Sequence, residues 1–104
     1  MAPGVDMTKP QPCTKFRDAG VVAWIAKLVE ETSEVVQEVK LLNEIKNREA
    51  LLRVAADTRE RLVLELTDVI TVCTSWLDAL GCDSVMREEA QRRVNEKNKA
   101  RGYF

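Results

Sequence analysis

All three prolines of the chain, Pro3, Pro10 and Pro12, lie within its first twelve residues, and residues 13–104 contain none. Proline removes a backbone donor and clashes with the preceding helical turn, so a long proline-free stretch leaves the way open for long helices. Strict apolar–polar alternation persists nowhere in it, and no strand pattern competes. A first helix is expected from about Asp18, a plausible N-cap, to Leu42, with Trp24, Ile25, Leu28, Thr32, Val35, Val39 and Leu42 on one stripe. Asn43 to Arg53 is ambiguous and reads as a short second helix carrying Ile45, Leu51 and Leu52. A further helix is expected from about Asp57 to Leu80, with Leu62, Leu66, Val69, Ile70, Cys73, Leu77 and Leu80 on its stripe. Gly81 suits the residue just past that helix, and Asp83 or Ser84 can cap a last one running to about Ala100, closed by Gly102. The expected class is all-α: a bundle of about four helices per chain, completed by dimerisation.

The chain of 104 residues has room for one domain, expected over 16–104 behind a loose tail at 1–15. A single chain of this size has a modest core, and self-association is an inexpensive way to bury more surface. Leu64 and Val72 lie off the stripe of the Asp57–Leu80 helix, which is therefore apolar on more than one side. That reading favours a homodimer or homotetramer. A net charge of −1 argues against binding a nucleic acid polymer, which calls for a clear basic excess. No stretch is long and apolar enough to cross a membrane, and no basic-then-apolar leader opens the chain. Cys13, Cys73 and Cys82 are odd in number and show no C-x-x-C spacing, which fits reduced thiols and a cytoplasmic setting. Cys73, on the core stripe, reads as a small buried apolar residue. Histidine is absent, which removes Ser/His/Asp triads, Cys/His pairs and imidazole metal ligands. Acid–base work would fall to Glu, Asp, Lys, Tyr or Cys.

The acidic residues fall in a pattern. Glu31 and Glu34 lie three apart on one helical face, with Glu30 and Glu38 as neighbours at a spacing of four. Glu65 and Asp68 repeat the arrangement beside the apolar stripe of the later helix. If those stripes pack together, four carboxylates converge. Two carboxylates about 6 Å apart repel by roughly 3 kcal/mol at an effective dielectric near 20, so such a cluster calls for a cation. Oxygen ligands without His or Cys select Mg²⁺, Mn²⁺ or Ca²⁺. Taken alone, acidic pairs at this spacing more often just solvate a helix; two of them, each beside a core stripe, make that reading weaker.

Glu30-Glu31-x-x-Glu34 followed by Glu65-x-x-Asp68 resembles the signature of the MazG-like nucleotide pyrophosphohydrolases, in the all-α NTP pyrophosphatase superfamily. The ending Lys97-Asn98-Lys99-Ala100-Arg101 resembles that family's closing basic segment, and the likeness spans about Trp24 to Phe104. The interval between Glu34 and Glu65 is longer than is usual there. The resemblance implies a Mg²⁺-dependent enzyme, with Mn²⁺ as a substitute, that cleaves the α–β phosphoanhydride of a (deoxy)nucleoside triphosphate to the monophosphate and pyrophosphate. It implies Glu31, Glu34, Glu65 and Asp68 as metal ligands and makes Glu30 the candidate for taking the attacking water's proton. Lys97, Asn98 and Arg101 would bind phosphate, with Arg93 continuing their row; a solvated basic helix end is the plainer account of them. Trp24 and Trp76, the only tryptophans, can stack on a nucleobase or serve in packing.

Two other classes compete. A non-catalytic helical dimerisation or regulatory module would explain the two-sided apolar helix and the balanced charge. A calcium- or iron-storing carboxylate bundle is opposed by the missing histidine and by the lack of an EF-hand loop. Only the first reading predicts metal-dependent pyrophosphate release.

Overall fold

A computed structural model describes residues 5–104 of the chain, and among them the regular structure is entirely helical. A one-turn 3-10 helix, Thr14–Phe16, precedes three α-helices: α1 (Val21–Glu44), α2 (Arg48–Ala79) and α3 (Ser84–Ala100). Helix α1 begins two residues later than the sequence implies, with Gly20 rather than Asp18 at its N-cap. The expected short helix around Asn43–Arg53 and the one from Asp57 are a single element, so three α-helices stand where about four were expected. Asn47 is the N-cap, its side chain accepting a hydrogen bond from the Ala50 N–H at 3.1 Å, and Glu49 follows in the first turn. From Arg48 onward no Gly or Pro interrupts the helix until Gly81, and Ala55-Ala56 carries it straight through Asp57. Gly81 and Gly102 both take positive φ, as the glycine placement implied. After α2 the Cys82 N–H reaches the Leu77 carbonyl and the Gly81 N–H reaches that of Asp78, the paired closure of a left-handed helix cap.

α1 and α2 form a hairpin. On α1 the buried and half-buried positions include Trp24, Leu28, Glu31, Val35, Glu38 and Leu42, alternating steps of four and three, with half-buried Glu34 beside them. On α2 they include Ala55, Thr58, Leu62, Glu65, Val69, Val72 and Trp76, with the same alternation. This is the seam spacing of coiled coils. The seam lies rotated from the stripes read off the sequence: Ile25, Thr32 and Val39 on α1, Leu66, Ile70 and Cys73 on α2, and Leu80 at its C-cap, are exposed. Of the two residues expected on an uncovered side, Leu64 is exposed but Val72 is buried in the seam. The thiol of Cys73 is likewise exposed rather than buried, and all three cysteines are free. The stripe reading held at Trp24, Leu28, Val35, Leu42, Leu62, Val69 and Leu77, and missed the rest of the seam because it left out Glu31, Glu38, Thr58 and Glu65, which occupy seam positions.

Among the described residues, Trp24 and Val72 are the only buried apolar side chains. Helix α3 packs on neither α1 nor α2. The radius of gyration, 17.4 Å, exceeds the about 13 Å of a compact chain this long. Ahead of α1, the chain runs against α2: the Cys13 N–H donates to Ser75 Oγ at 2.8 Å, and Arg17 pairs with Asp78 at 2.9 Å. No helix among the described residues is long and apolar enough to cross a membrane.

Candidate functional site

The seam brings the acidic pairs together. One turn of α1 carries Glu31 and Glu34, and one turn of α2, antiparallel to it, carries Glu65 and Asp68. One carboxylate oxygen from each of the four lies within 4.8 Å of the others. Glu31 is buried, Glu34 and Glu65 are half-buried, and Asp68 is exposed, so the cluster runs from the seam to the surface. With the neighbouring carboxylates ionised, Glu65 Oε2 is sealed from solvent and has no hydrogen-bond donor. A buried acceptor of this kind is costly unless something satisfies it.

The crowding shows in the proton affinity of Glu34, which is pushed up to about 7. The first cause is the hydrogen bond that a protonated Glu34 makes to Glu65; the charge of Glu31 and partial burial follow. A cation in the cluster would do the same work as that proton, satisfying the oxygens and cancelling their repulsion.

Two cations frame the cluster, and reading the sequence for acids alone missed both. Lys27 Nζ lies 3.1 Å from Glu31 Oε1 and 3.7 Å from Glu30 Oε1. The Glu31 contact first, and the Glu30 charge second, hold the Lys27 ammonium above its ordinary value. Toward the hairpin turn, Arg61 Nε meets Glu38 Oε2 at 3.1 Å, and its guanidinium also donates to Thr58 Oγ1 at 3.2 Å. The signal for both was present as spacing, because Lys27 and Arg61 stand one helical turn before Glu31 and Glu65 respectively.

The other candidate residues are placed differently. Glu30 is not one of the four converging carboxylates; 60% of its side chain is exposed, and its Oε1 lies 3.7 Å from Lys27 Nζ. Lys97, Asn98 and Arg101 lie on α3, which does not reach the hairpin, so the single chain does not bring them to the carboxylates. Arg93 is held by Glu89 at 3.3 Å, within a charged network that also joins Arg92 to Glu89 and Glu96. Trp24 and Trp76 stack on each other across the seam, with ring centroids 6.3 Å apart and planes 9° from parallel. That is an offset aromatic pair, and it spends one face of each ring on packing.

Next to the cluster is a cavity of about 220 Å³ whose wall includes Phe16, Trp24, Lys27, Glu31, Asp68 and Ser75. A second hollow of about 260 Å³ shares Phe16, Trp24 and Lys27 and extends to Ala19 and Ala23. Two of the four carboxylates, Glu31 and Asp68, thus form part of the wall of an aromatic-lined recess. No protein-family model matches the chain, and no curated protein or solved structure matches it.

Proposed function

We propose that this protein is a Mg²⁺-dependent nucleoside triphosphate pyrophosphohydrolase that cleaves the α–β phosphoanhydride of (deoxy)nucleoside triphosphates, as its likeness to the MazG-like enzymes implies. The observation that carries the proposal is the convergence of Glu31, Glu34, Glu65 and Asp68 from facing helices onto one point. An all-oxygen donor set with an unsatisfied oxygen, Glu65 Oε2, fits a hard divalent cation such as Mg²⁺ or Mn²⁺. When bound, Mg²⁺ supplies charge neutralisation for the polyphosphate and a water acidic enough to attack it. The protein's own part is to hold and orient. The four carboxylates fix the ion at the seam, and Lys27 and Arg61 flank it with positive charge along the path of a polyphosphate. Glu30, one residue before the first ligand and open to solvent, is the candidate for accepting the water's proton.

The working form in this proposal is a homodimer or homotetramer in the cytoplasm. Support comes from what a lone chain leaves bare: Leu64, Leu66 and Ile70 on α2, and Val85, Met86 and Val94 on α3, are all exposed. With only two apolar side chains buried among the described residues, a single chain has little to set against its conformational entropy. Lys97, Asn98 and Arg101 would then reach substrate phosphates from a second copy. The same bare faces also favour a second reading, a non-catalytic helical dimerisation module. A panel of nucleoside triphosphates incubated with Mg²⁺ separates the two. Monophosphate and pyrophosphate as products support the enzyme; diphosphate with orthophosphate, or no turnover, rejects it.

A further inference from the structure

We infer that residues 5–17 form an autoinhibitory strap, an inference that rests on the proposed pyrophosphohydrolase reading and adds a means of control to it. Docked on α2, the strap divides and narrows the cleft beside Glu31 and Asp68, and ligand enters when the strap lifts.

Phe16 borders two hollows at once. One, of about 220 Å³, reaches Glu31 and Asp68; the other, of about 260 Å³, reaches Ala19 and Ala23. Cys13 borders the first as well. Small-molecule sites usually take roughly 300–1,000 Å³, and each hollow alone falls short of that. Lifting the strap takes Phe16 from both walls and Cys13 from one, so that the hollows open into a single cleft ending at Glu31 and Asp68.

The strap is latched at one end only. The Cys13 N–H donates to Ser75 Oγ at 2.8 Å, and Arg17 Nε and Nη2 both reach Asp78 Oδ2, at 3.1 and 2.9 Å. Among the described residues, no other hydrogen bond joins the strap to α2. Nearer the start of the chain it bonds to itself. The Asp6 carboxylate accepts from the Thr8 N–H and hydroxyl, at 2.9 and 2.6 Å, and the Asp6 carbonyl accepts from Gln11 Nε2 at 2.8 Å. There a hollow of about 370 Å³ separates Val5, Met7 and Pro10 from Thr67, Ile70 and Thr71 of α2.

Lifting the strap strands little. Ser75 Oγ donates to the Thr71 carbonyl and Thr71 Oγ1 to that of Thr67, so the hydroxyls of α2 beneath it stay satisfied within the helix. Val5, Met7 and Phe16 are exposed already, and little apolar surface is given up. The Arg17–Asp78 pair lies at the surface, with side chains 53% and 32% exposed, where ion pairs are weak and screened by salt. Docked and lifted forms therefore lie close in free energy, and ligand binding draws on the lifted fraction alone.

The test locks the strap in one full-length variant and frees it in another. Ser75→Cys, combined with Cys73→Ser and Cys82→Ser, lets oxidised glutathione join the strap to α2 through Cys13, and dithiothreitol releases it. Mass spectrometry checks that the cross-link has formed. Acrylamide quenching of tryptophan fluorescence reads access to Trp24, which borders both hollows, and pyrophosphate release from a nucleoside triphosphate with Mg²⁺ is measured alongside. The locked protein should be quenched less than the same protein after reduction, and at low nucleotide it should release pyrophosphate at least about 10-fold more slowly. Arg17→Ala should be quenched more than the wild type and turn over about 2- to 5-fold faster at low nucleotide, as the loss of one exposed ion pair allows. Equal quenching in locked and reduced protein, a locked protein that releases pyrophosphate as fast as the reduced one, or an Arg17→Ala protein quenched no more than the wild type would overturn the inference. Any of these with pyrophosphate still released leaves the proposed activity standing. Quenching that follows the lock, with no pyrophosphate from either state, upholds the strap and rejects that activity.

Discussion

Replacing Glu34 by Gln should change how many protons leave the protein when Mg²⁺ binds. In the metal-free chain the Glu34 carboxyl is pushed up to about 7, first by its hydrogen bond with Glu65 and then by the charge of Glu31. A divalent cation binds the carboxylate, so the proton must go. With a midpoint near 7, the group holds about 0.9 proton at pH 6 and about 0.1 at pH 8, and Mg²⁺ binding should release about those amounts. Calorimetry in pairs of buffers with different ionisation heats counts the released protons directly. Glu34→Gln should show almost none at pH 6, with weaker Mg²⁺ binding. The same linkage fixes a stability trend for the metal-free protein. Because the folded-state value lies above the unfolded 4.5, the contribution from this proton is full below pH 4.5 and is lost as pH rises through about 7. The variant should lose that slope. Equal proton release at pH 6 from wild type and Glu34→Gln would refute the reasoning, because the proton would then belong to another group.

Trp24→Ala removes a buried ring that stacks on Trp76 and should cost about 3–5 kcal/mol in urea denaturation; a loss under about 1 kcal/mol would mean the pair does not hold the seam. Ala56→Gly, at an exposed position inside α2, should destabilise by about 1 kcal/mol if the helix is continuous there, and by close to nothing if a break separates Arg53 from Asp57. Ile70→Asp, placed on the bare face of α2, should shift sedimentation toward monomer, and an unchanged assembly would remove that face from the interface.

The helical class was legible because its signals are local: no proline after Pro12, Gly81 and Gly102 at helix ends, and Asp83 as an N-cap that accepts from the Met86 N–H. The carboxylate positions were legible too, since a spacing of three fixes a common face on each helix. Which face of each helix meets the other was harder to read. Apolar residues are spread around both α1 and α2, so Ile70 and Leu66 look as fit for the core as Val69 and Val72. The seam was marked instead by a 3–4 alternation in which Glu and Thr count as members, and a purely apolar tally passes over it. Asp57 misled for a related reason, being a good N-cap by type in the middle of a helix already started at Asn47. The placement of Phe16 was beyond local reading, because it depends on Cys13 and Arg17 meeting α2 some sixty residues later in the chain, at |i−j| of 62 and 61.

The most direct test of the central proposal is pyrophosphate release from a nucleoside triphosphate with Mg²⁺, measured side by side for the wild type, Glu34→Gln and Asp68→Asn. Both substitutions keep side-chain volume and remove one charge from a repelling cluster, so the metal-free variants should melt no lower than the wild type near neutral pH. Turnover should nevertheless collapse in both, because the cation loses an anionic ligand and the phosphate chain loses the site that orients it. The account predicts pyrophosphate from the wild type alone. Pyrophosphate released at the wild-type rate by Glu34→Gln would contradict it.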